Sequence, residues 1–223
     1  MEPSMSSIFP FNREFQKRID PFYEKRKKAD EVLVDTICLD GLLKQNDLLK
    51  IDFIKLDVHG SEFEILQGAK KTLKEVIGLL IESWVLPIHK GQKIRAHVEL
   101  LAFENGFYVF EEYYRSKWKR KEGRFTKRQL VALDTLYFRD PILDNTIKDQ
   151  VTAVKIICLA NLFDHNSYAL QLIDYFYDRG ILMADLRRAM IKHMHKYNFP
   201  TLSKKLFLKF EKFLHRMSDC EFK

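Results

Sequence analysis

The stretch that decides the fold is residues 51–69, which read I-D-F-I-K-L-D-V-H-G-S-E-F-E-I-L-Q-G-A. Its apolar run up to Val58 is nearly continuous, which is typical of a short strand buried on both faces of a parallel sheet. Gly60 breaks the run, and Ser61 followed by Glu64 is a capping-box pattern that predicts the start of a helix. The stretch is therefore predicted to form a strand, a tight turn and a helix.

Polar side chains gather where this strand is predicted to end. Ligands of open α/β sheets lie outside the carboxyl ends of the strands, so we expect chemistry near Asp57, His59 and Glu62. Asp57 can serve as a general base, or it can cap the following helix by accepting backbone N–H bonds. His59 can act as a base near neutral pH, contribute to a metal site, or be structural. A carboxylate at Glu62 is also favoured by the helix dipole.

The order K-L-D-V-x-G-S-E-x-x-x-L-x-G-A resembles a signature of the FkbM-type S-adenosylmethionine (SAM)-dependent methyltransferases. The corresponding stretch of that family reads roughly K-I-D-V-E-G-A-E-x-x-V-L-x-G-A. His59 departs from the family pattern, in which this position is usually acidic or an amide. With weaker flanking similarities, the resemblance covers about residues 6–140, which corresponds to the second half of the family's catalytic domain. The matching residues are Lys55, Asp57, Val58, Gly60, Glu62, Leu66, Gly68 and Ala69.

The resemblance implies an α/β fold, with a partial Rossmann-like methyltransferase sheet followed by a helical C-terminal tail. It also implies SAM as the cofactor and methyl transfer to an oxygen of a sugar or other small hydroxylated acceptor. Asp57 would then orient or deprotonate the acceptor hydroxyl. The candidate catalytic residues are Asp57, His59 and Glu62, and the candidate substrate-binding residues are Lys55, Ser61 and Glu82.

The sequence shows no cofactor loop. A SAM-binding Rossmann-type domain needs a glycine-rich turn after its first strand, because the cofactor must approach the backbone closely. The 8 glycines form no G-x-G, so no cofactor-binding residue is predicted. Either the chain is a fragment of a longer protein, or it is a shortened form that cannot hold SAM in the usual way. The alternative function is a non-catalytic interaction module that binds an acidic partner through a basic loop and the helical tail.

Charge and cysteine content limit the partners. The formal net charge of +7 favours acidic partners, or it reflects only a solvated basic surface. The basic segment Arg115–Arg128 contains two aromatic residues and is a candidate contact for an anionic lipid or substrate, while nucleic acid is not an expected partner. The 3 cysteines are widely spaced and form no metal pair, which favours a reducing, cytoplasmic location, and no metal site is predicted. No membrane-spanning segment or signal peptide is predicted.

Three regions are predicted along the chain: an irregular arm (1–30) with a helix around 13–28, a truncated methyltransferase-like α/β domain (31–140), and a helical extension (141–223). Pro141 marks the change to helical periodicity.

The edge of the strand at 51–58 would present unpaired N–H and C=O groups, so another segment must cover it, and we favour the N-terminal segment. Further strands are predicted at 32–39, 79–82, 107–113 and 131–138, further helices at 42–49, 61–75 and 94–105, and an apolar helix stripe at Val151, Val154, Cys158 and Leu162.

Overall fold

The computed structural model describes residues 7–19, 32–46, 50–118 and 127–197. The chain divides into two compact units between Asn145 and Thr146. The first unit is mixed α/β, as expected. Its elements are α1 (Arg13–Ile19), α2 (Leu39–Asn46), β1 (Phe53–Leu56), α3 (Glu62–Gln67), a 3₁₀ turn (Thr72–Lys74), β2 (Gly78–Trp84), α4 (Arg95–Glu104), β3 (Phe107–Trp118), β4 (Gln129–Arg139) and α5 (Pro141–Asp144).

The four strands form one sheet in the order β1-β2-β4-β3. β1 and β2 are parallel, whereas β4 is antiparallel to both of its neighbours. The predicted strand, helix and strand that begin with residues 51–69 are therefore confirmed. Because Leu56 is in register with Ile81, the two parallel strands end at the same edge of the sheet. We call this the carboxyl edge; Asp57 and Glu82 lie at it.

The core of the first unit lies where α3 and the following turn pack against β1 and β2. Leu66, Ala69 and Leu73 are at most 1% exposed, so the apolar face predicted from the sequence is buried. The capping box is wrong in detail: Ser61 is the residue before α3, but its side chain makes no capping bond. The helix also ends at Gln67, well before the predicted residue 75, and a 3₁₀ turn follows.

The predicted strand at 32–39 is wrong. Residues 32–38 have no regular secondary structure, and Val32, Leu33 and Val34 are 79%, 102% and 68% exposed. Alternation of apolar residues predicts a strand only when a neighbouring strand is present to pair with it, and this segment pairs with no described strand. α2 begins at Leu39 instead, and the Asp40 carboxylate accepts backbone hydrogen bonds from Lys71 and Thr72.

The described part of the N-terminal arm, residues 7–19, does not pair with β1. Phe11 forms an isolated antiparallel bridge to His89, and the Asn12 N–H donates to the carbonyl of Ile88 at 2.9 Å. Ile19 at the end of α1 packs with Trp84 and Ile88. The arm was expected along the edge of β1, but its described residues lie beside the segment that follows β2.

The described part of the second unit contains α6 (Gln150–Leu162), α7 (Asn166–Asp178) and α8 (Ala184–Tyr197). The stripe predicted for α6 is wrong, because Val151, Cys158 and Leu162 are exposed. α6 is apolar nearly all round, so its periodicity does not select the buried face. The helical extension was predicted to continue to residue 223, and its part beyond residue 197 lies outside the described residues. In the ranges described, no helix combines the length and apolar character needed to cross a membrane. The buried face of α6 consists of Ala153, Ile156, Ile157 and Ala160.

Candidate functional site

The parallel register of β1 and β2 brings three predicted site residues together at the carboxyl edge. Asp57 directly follows β1, His59 lies in the turn before α3, and Glu82 is near the end of β2. One potential ligand atom from each side chain lies within 4.8 Å of the other two. Asp57 is exposed, while His59 and Glu82 are half-buried. His59 has a positive φ of 55°, a conformation that few residues other than glycine adopt.

Lys55 and Asp57 form an ion pair at this edge. The Lys55 Nζ donates to Asp57 Oδ2 at 2.9 Å, and the two side chains are 57% and 46% exposed. Partial burial lowers the pKa of Lys55, but the hydrogen bond and charge of Asp57 outweigh it and raise the pKa above its usual value. Asp57 accepts no backbone N–H of α3 in the described structure, so the helix-capping alternative has no contact to support it. Its carboxylate is instead oriented by an ammonium.

Glu82 lies deeper in the same group. Burial, followed by the negative charges of Asp57 and Asp134, raises the pKa of Glu82 to about 8. Asp134 is directly opposite Glu82 in the β2–β4 register. The Oε2 atom of Glu82 is buried and has no hydrogen-bond partner among the described residues. Asp134 was missed by sequence reasoning, although a carboxylate within the apolar strand that contains Leu133 was a usable signal.

Glu62 and Ser61 hold the turn and do not join the group. The Glu62 carboxylate accepts N–H bonds from Val58 at 3.2 Å and from Gly60 at 3.0 Å. Its side chain is 2% exposed, and burial raises its pKa although the backbone N–H groups oppose that shift. Ser61 is also buried, at 5% exposed. The backbone bonds of Glu62 indicate a role in shaping the turn that presents His59.

A buried polar cluster lies beneath this turn. A Cβ atom at Gly60, where φ is 111°, would lie 3.0 Å from Gln92 Nε2 and 3.2 Å from His89 Nδ1. His89, Gln92 and Trp84 are 2%, 8% and 5% exposed. The Gln92 Oε1 accepts the backbone N–H of His89 at 3.1 Å. Both ring nitrogens of His89, Gln92 Nε2 and the indole Nε1 of Trp84 have no hydrogen-bond partner in the part of the chain described.

His89 is neutral at ordinary pH. Burial, with a smaller contribution from the positive charge of His59, lowers the pKa of His89 to about 4. Its ring stacks on Phe11 with 5.0 Å between ring centroids, and the Trp84 ring lies 6.0 Å from that of His59. We did not predict His89 or Gln92 from the sequence. Their position shortly after the end of β2 was a usable signal, because such loops face the ligand side of a parallel sheet.

The basic segment Arg115–Arg128 is described only in part, since residues 119–126 lie outside the described ranges. Arg115 pairs with Glu112 at 2.9 Å, which leaves less of its charge for an external anion. Trp118 packs edge-on against Trp84, with 6.5 Å between ring centroids. The anionic contact predicted for this segment stays a prediction.

Comparison with known families agrees with the resemblance read from residues 51–69. The family model described as "Methyltransferase FkbM domain" matches residues 3–109. The match includes the arm, the parallel pair of strands and the whole Asp57, His59 and Glu82 group. Comparisons with curated proteins and with solved structures each gave no match.

The turn after β1 does not fit SAM. A nucleotide cofactor needs free backbone N–H groups in a glycine turn. In the turn after β1, the N–H groups of Val58 and Gly60 are already bonded to Glu62. The space beside Gly60 is occupied by Gln92 and His89. We therefore assign no cofactor-binding residue.

Proposed function

We propose that this chain is a SAM-dependent enzyme that methylates an oxygen of a sugar or other small hydroxylated acceptor, because residues 3–109 match the model of the FkbM methyltransferase domain. The domain match carries this proposal. The grouping of Asp57, His59 and Glu82 at the carboxyl edge supports it, because this edge is where α/β enzymes bind their ligands. SAM is the donor that the family implies.

In this proposal, Asp57 is the general base. Its exposed carboxylate can reach an acceptor at the edge, and Lys55 fixes its orientation through the 2.9 Å bond. Asp57 would accept the hydroxyl proton of the acceptor. The donor would supply the methyl group, and its sulfur would keep the electron pair of the carbon–sulfur bond that breaks. Glu82 and His59 line the same position. Ser61 and Glu62 act through the turn that carries His59.

The test is methyl transfer by the purified 223-residue chain to a panel of sugars and small polyols, followed with radiolabelled SAM. We expect Asp57→Asn to lower kcat by about 10²- to 10⁴-fold, because a positioned general base contributes that much. Glu75→Gln is the matched control, since Glu75 is also part of an exposed ion pair in the first unit, with Lys50 at 3.2 Å. Its activity should equal that of the parent chain. Unchanged activity of Asp57→Asn would exclude Asp57 as the base.

A second candidate is a non-catalytic interaction module that binds an acidic partner through Arg115–Arg128 and the helical tail. The occupied turn around Gly60 favours it, because that turn offers SAM no free backbone N–H group. Calorimetric titration with SAM separates the two candidates. Heat of binding supports the enzyme, and its absence at high micromolar SAM supports the module. For either function we propose a reducing cytoplasmic location, which fits the free thiols of Cys38 and Cys158.

A further inference from the structure

We propose that Asp57, His59 and Glu82 bind a divalent transition-metal ion, of the Mn²⁺ or Zn²⁺ kind, at the carboxyl edge of β1 and β2. Two carboxylates and one imidazole contribute ligand atoms that all lie within 4.8 Å of one another. No single segment of sequence contains this set, because His59 and Glu82 are brought together only by the parallel pairing of β1 and β2.

The spacing is compatible with one shared ion. With metal–ligand bonds of about 2.1 Å, two ligand atoms on opposite sides of an ion are about 4.2 Å apart, and adjacent ones are closer. Small side-chain rotations therefore suffice to bring the three atoms into one coordination shell. Three protein ligands also leave positions open for water or for an oxygen of a bound molecule, which is the pattern of catalytic rather than structural metal sites.

The charge around Glu82 favours a cation. Asp57, Asp134 and Glu62 all act on Glu82 as negative charges, and Lys55 acts on it as a positive charge. Carboxylates this close repel each other, and a divalent ion between two of them removes that repulsion. The exposed side of Asp57 leaves the group open to solvent, so an ion can enter without opening the core.

An independent observation concerns the buried polar atoms of Trp84 and Glu82. The Trp84 ring lies 6.0 Å from the His59 ring, and the Trp84 side chain is 5% exposed with no partner for its Nε1–H. Buried polar atoms nearly always have a partner, because an orphan loses its bonds to water and gains none in return. Glu82 Oε2 is a second such atom within the group itself. A bound ion gives Glu82 Oε2 a partner, and a water molecule held by that ion is an acceptor of the kind that the Trp84 N–H lacks.

The ligand types decide the kind of ion. Ca²⁺ and Mg²⁺ prefer all-oxygen shells, whereas imidazole together with carboxylate suits Mn²⁺, Fe²⁺ and Zn²⁺. Binding of the ion does not depend on the proposed methyl transfer. Under that proposed function, an acceptor oxygen in an open position would have its hydroxyl pKa lowered by the ion.

The experiment measures Mn²⁺ binding to the metal-stripped 223-residue chain by electron paramagnetic resonance, in which bound Mn²⁺ loses the sharp signal of the free ion, and Zn²⁺ binding by calorimetry. We expect one ion per chain. Glu82→Gln and His59→Asn, which nearly keep the side-chain volumes, should each weaken binding by at least about 10-fold, since altering even an outer-shell partner of a metal costs that much. Circular dichroism verifies that each variant is folded.

Asp185→Asn is the matched control, because Asp185 is a carboxylate with a 91% exposed side chain in the second unit. Its affinity should equal that of the parent chain. Absence of binding at millimolar Mn²⁺ and Zn²⁺ would overturn the metal site, and so would equal affinity in all variants. The SAM titration is made on the same metal-stripped chain, so failure of metal binding and failure of the methyltransferase proposal give separate results.

Discussion

The two edges of the same sheet differ in whether their buried polar side chains have hydrogen-bond partners. At the amino edge of β1 and β2, Arg139 at the end of β4 is 9% exposed, and its guanidinium donates to the carbonyls of Val76 and Leu73. It also stacks over the Phe107 ring at 4.6 Å. At the carboxyl edge, His89 is 2% exposed and neither of its ring nitrogens has a partner in the described structure.

This contrast separates stability from function. A buried cation with its donors satisfied locks the strand end and the preceding turn together. Buried groups without partners destabilise the fold, and such groups are retained where a ligand or water completes them. The amino edge is therefore expected to determine the free energy of unfolding, while the carboxyl edge is expected to determine binding and turnover.

The largest effect is expected for Arg139→Met. Methionine replaces the apolar part of the side chain, but the carbonyls of Val76 and Leu73 lose their donors inside the core. We expect a loss of about 2–6 kcal/mol in the free energy of unfolding, because each of the two buried carbonyls left without a donor costs about 1–3 kcal/mol. Urea unfolding followed by tryptophan fluorescence measures this, and it reports on the first unit because both tryptophans, Trp84 and Trp118, lie there.

Arg115→Met is the control for that variant. Arg115 is half exposed and pairs with Glu112, so its replacement should cost less than about 1 kcal/mol. Equal losses in the two variants would mean that Arg139 does not hold the amino edge, and the contrast between the edges would fail.

A second effect at the amino edge comes from Gly78→Ala. A Cβ atom at Gly78 would lie 2.8 Å from a ring carbon of Phe138 and 2.9 Å from one of Phe53. Rings from two neighbouring strands cannot both move away, so overpacking should cost about 1–3 kcal/mol by urea unfolding. In Gly41→Ala, within α2, the new methyl group meets flexible side-chain atoms of Ile37 at 3.2 Å. That control should be neutral or slightly stabilising, because alanine favours helix; a loss as large as that of Gly78→Ala would contradict the packing argument.

We expect His89 at the carboxyl edge to lower the free energy of unfolding at acidic pH. The pKa of His89 is about 4 in the folded chain and near 6.5 when unfolded, so the unfolded state binds more protons between these values. Stability is therefore complete above pH 6.5 and is lost as the pH falls towards 4. The two pKa values differ by about 2.5, which corresponds to about 3 kcal/mol of stability, and solvent screening reduces this to about 2 kcal/mol. His89→Leu should remove this part of the acid sensitivity in urea unfolding at pH 4.5 and 7. An identical pH dependence of the parent chain and His89→Leu would refute the role of His89 in this acid sensitivity.

The sequence predicts the sheet better than the site, for a physical reason. Apolar runs report burial directly, so β1, β2 and the buried face of Leu66 and Leu73 follow from periodicity. The group of Asp57 and Glu82 follows from the rule that parallel strands end together. Asp134 lies opposite Glu82 only through antiparallel pairing with a distant segment, and no local pattern encodes that register.

The absence of a local signal for contacts between distant segments also explains the predictions that were wrong. Residues 32–38 alternate like a strand but lack a partner, and α6 is apolar on too many sides for its period to select a face. Burial of His89 depends on Phe11, which is far away in sequence. Contacts between distant segments decide these features, whereas the periodicity of a sequence reports only on local ones.

The smallest change in stability is expected for Asp57→Asn, although this variant should have the largest effect on turnover. Lys55 and Asp57 are both about half exposed, and such ion pairs contribute at most about 1 kcal/mol. Asparagine also removes a negative charge that repels Glu82, which offsets part of the loss. Urea unfolding in the presence of EDTA, which excludes bound metal, should give a free energy within about 1 kcal/mol of the parent chain. A loss as large as that of Arg139→Met would show that Asp57 supports the fold. That result would contradict the assignment of the carboxyl edge as the functional edge.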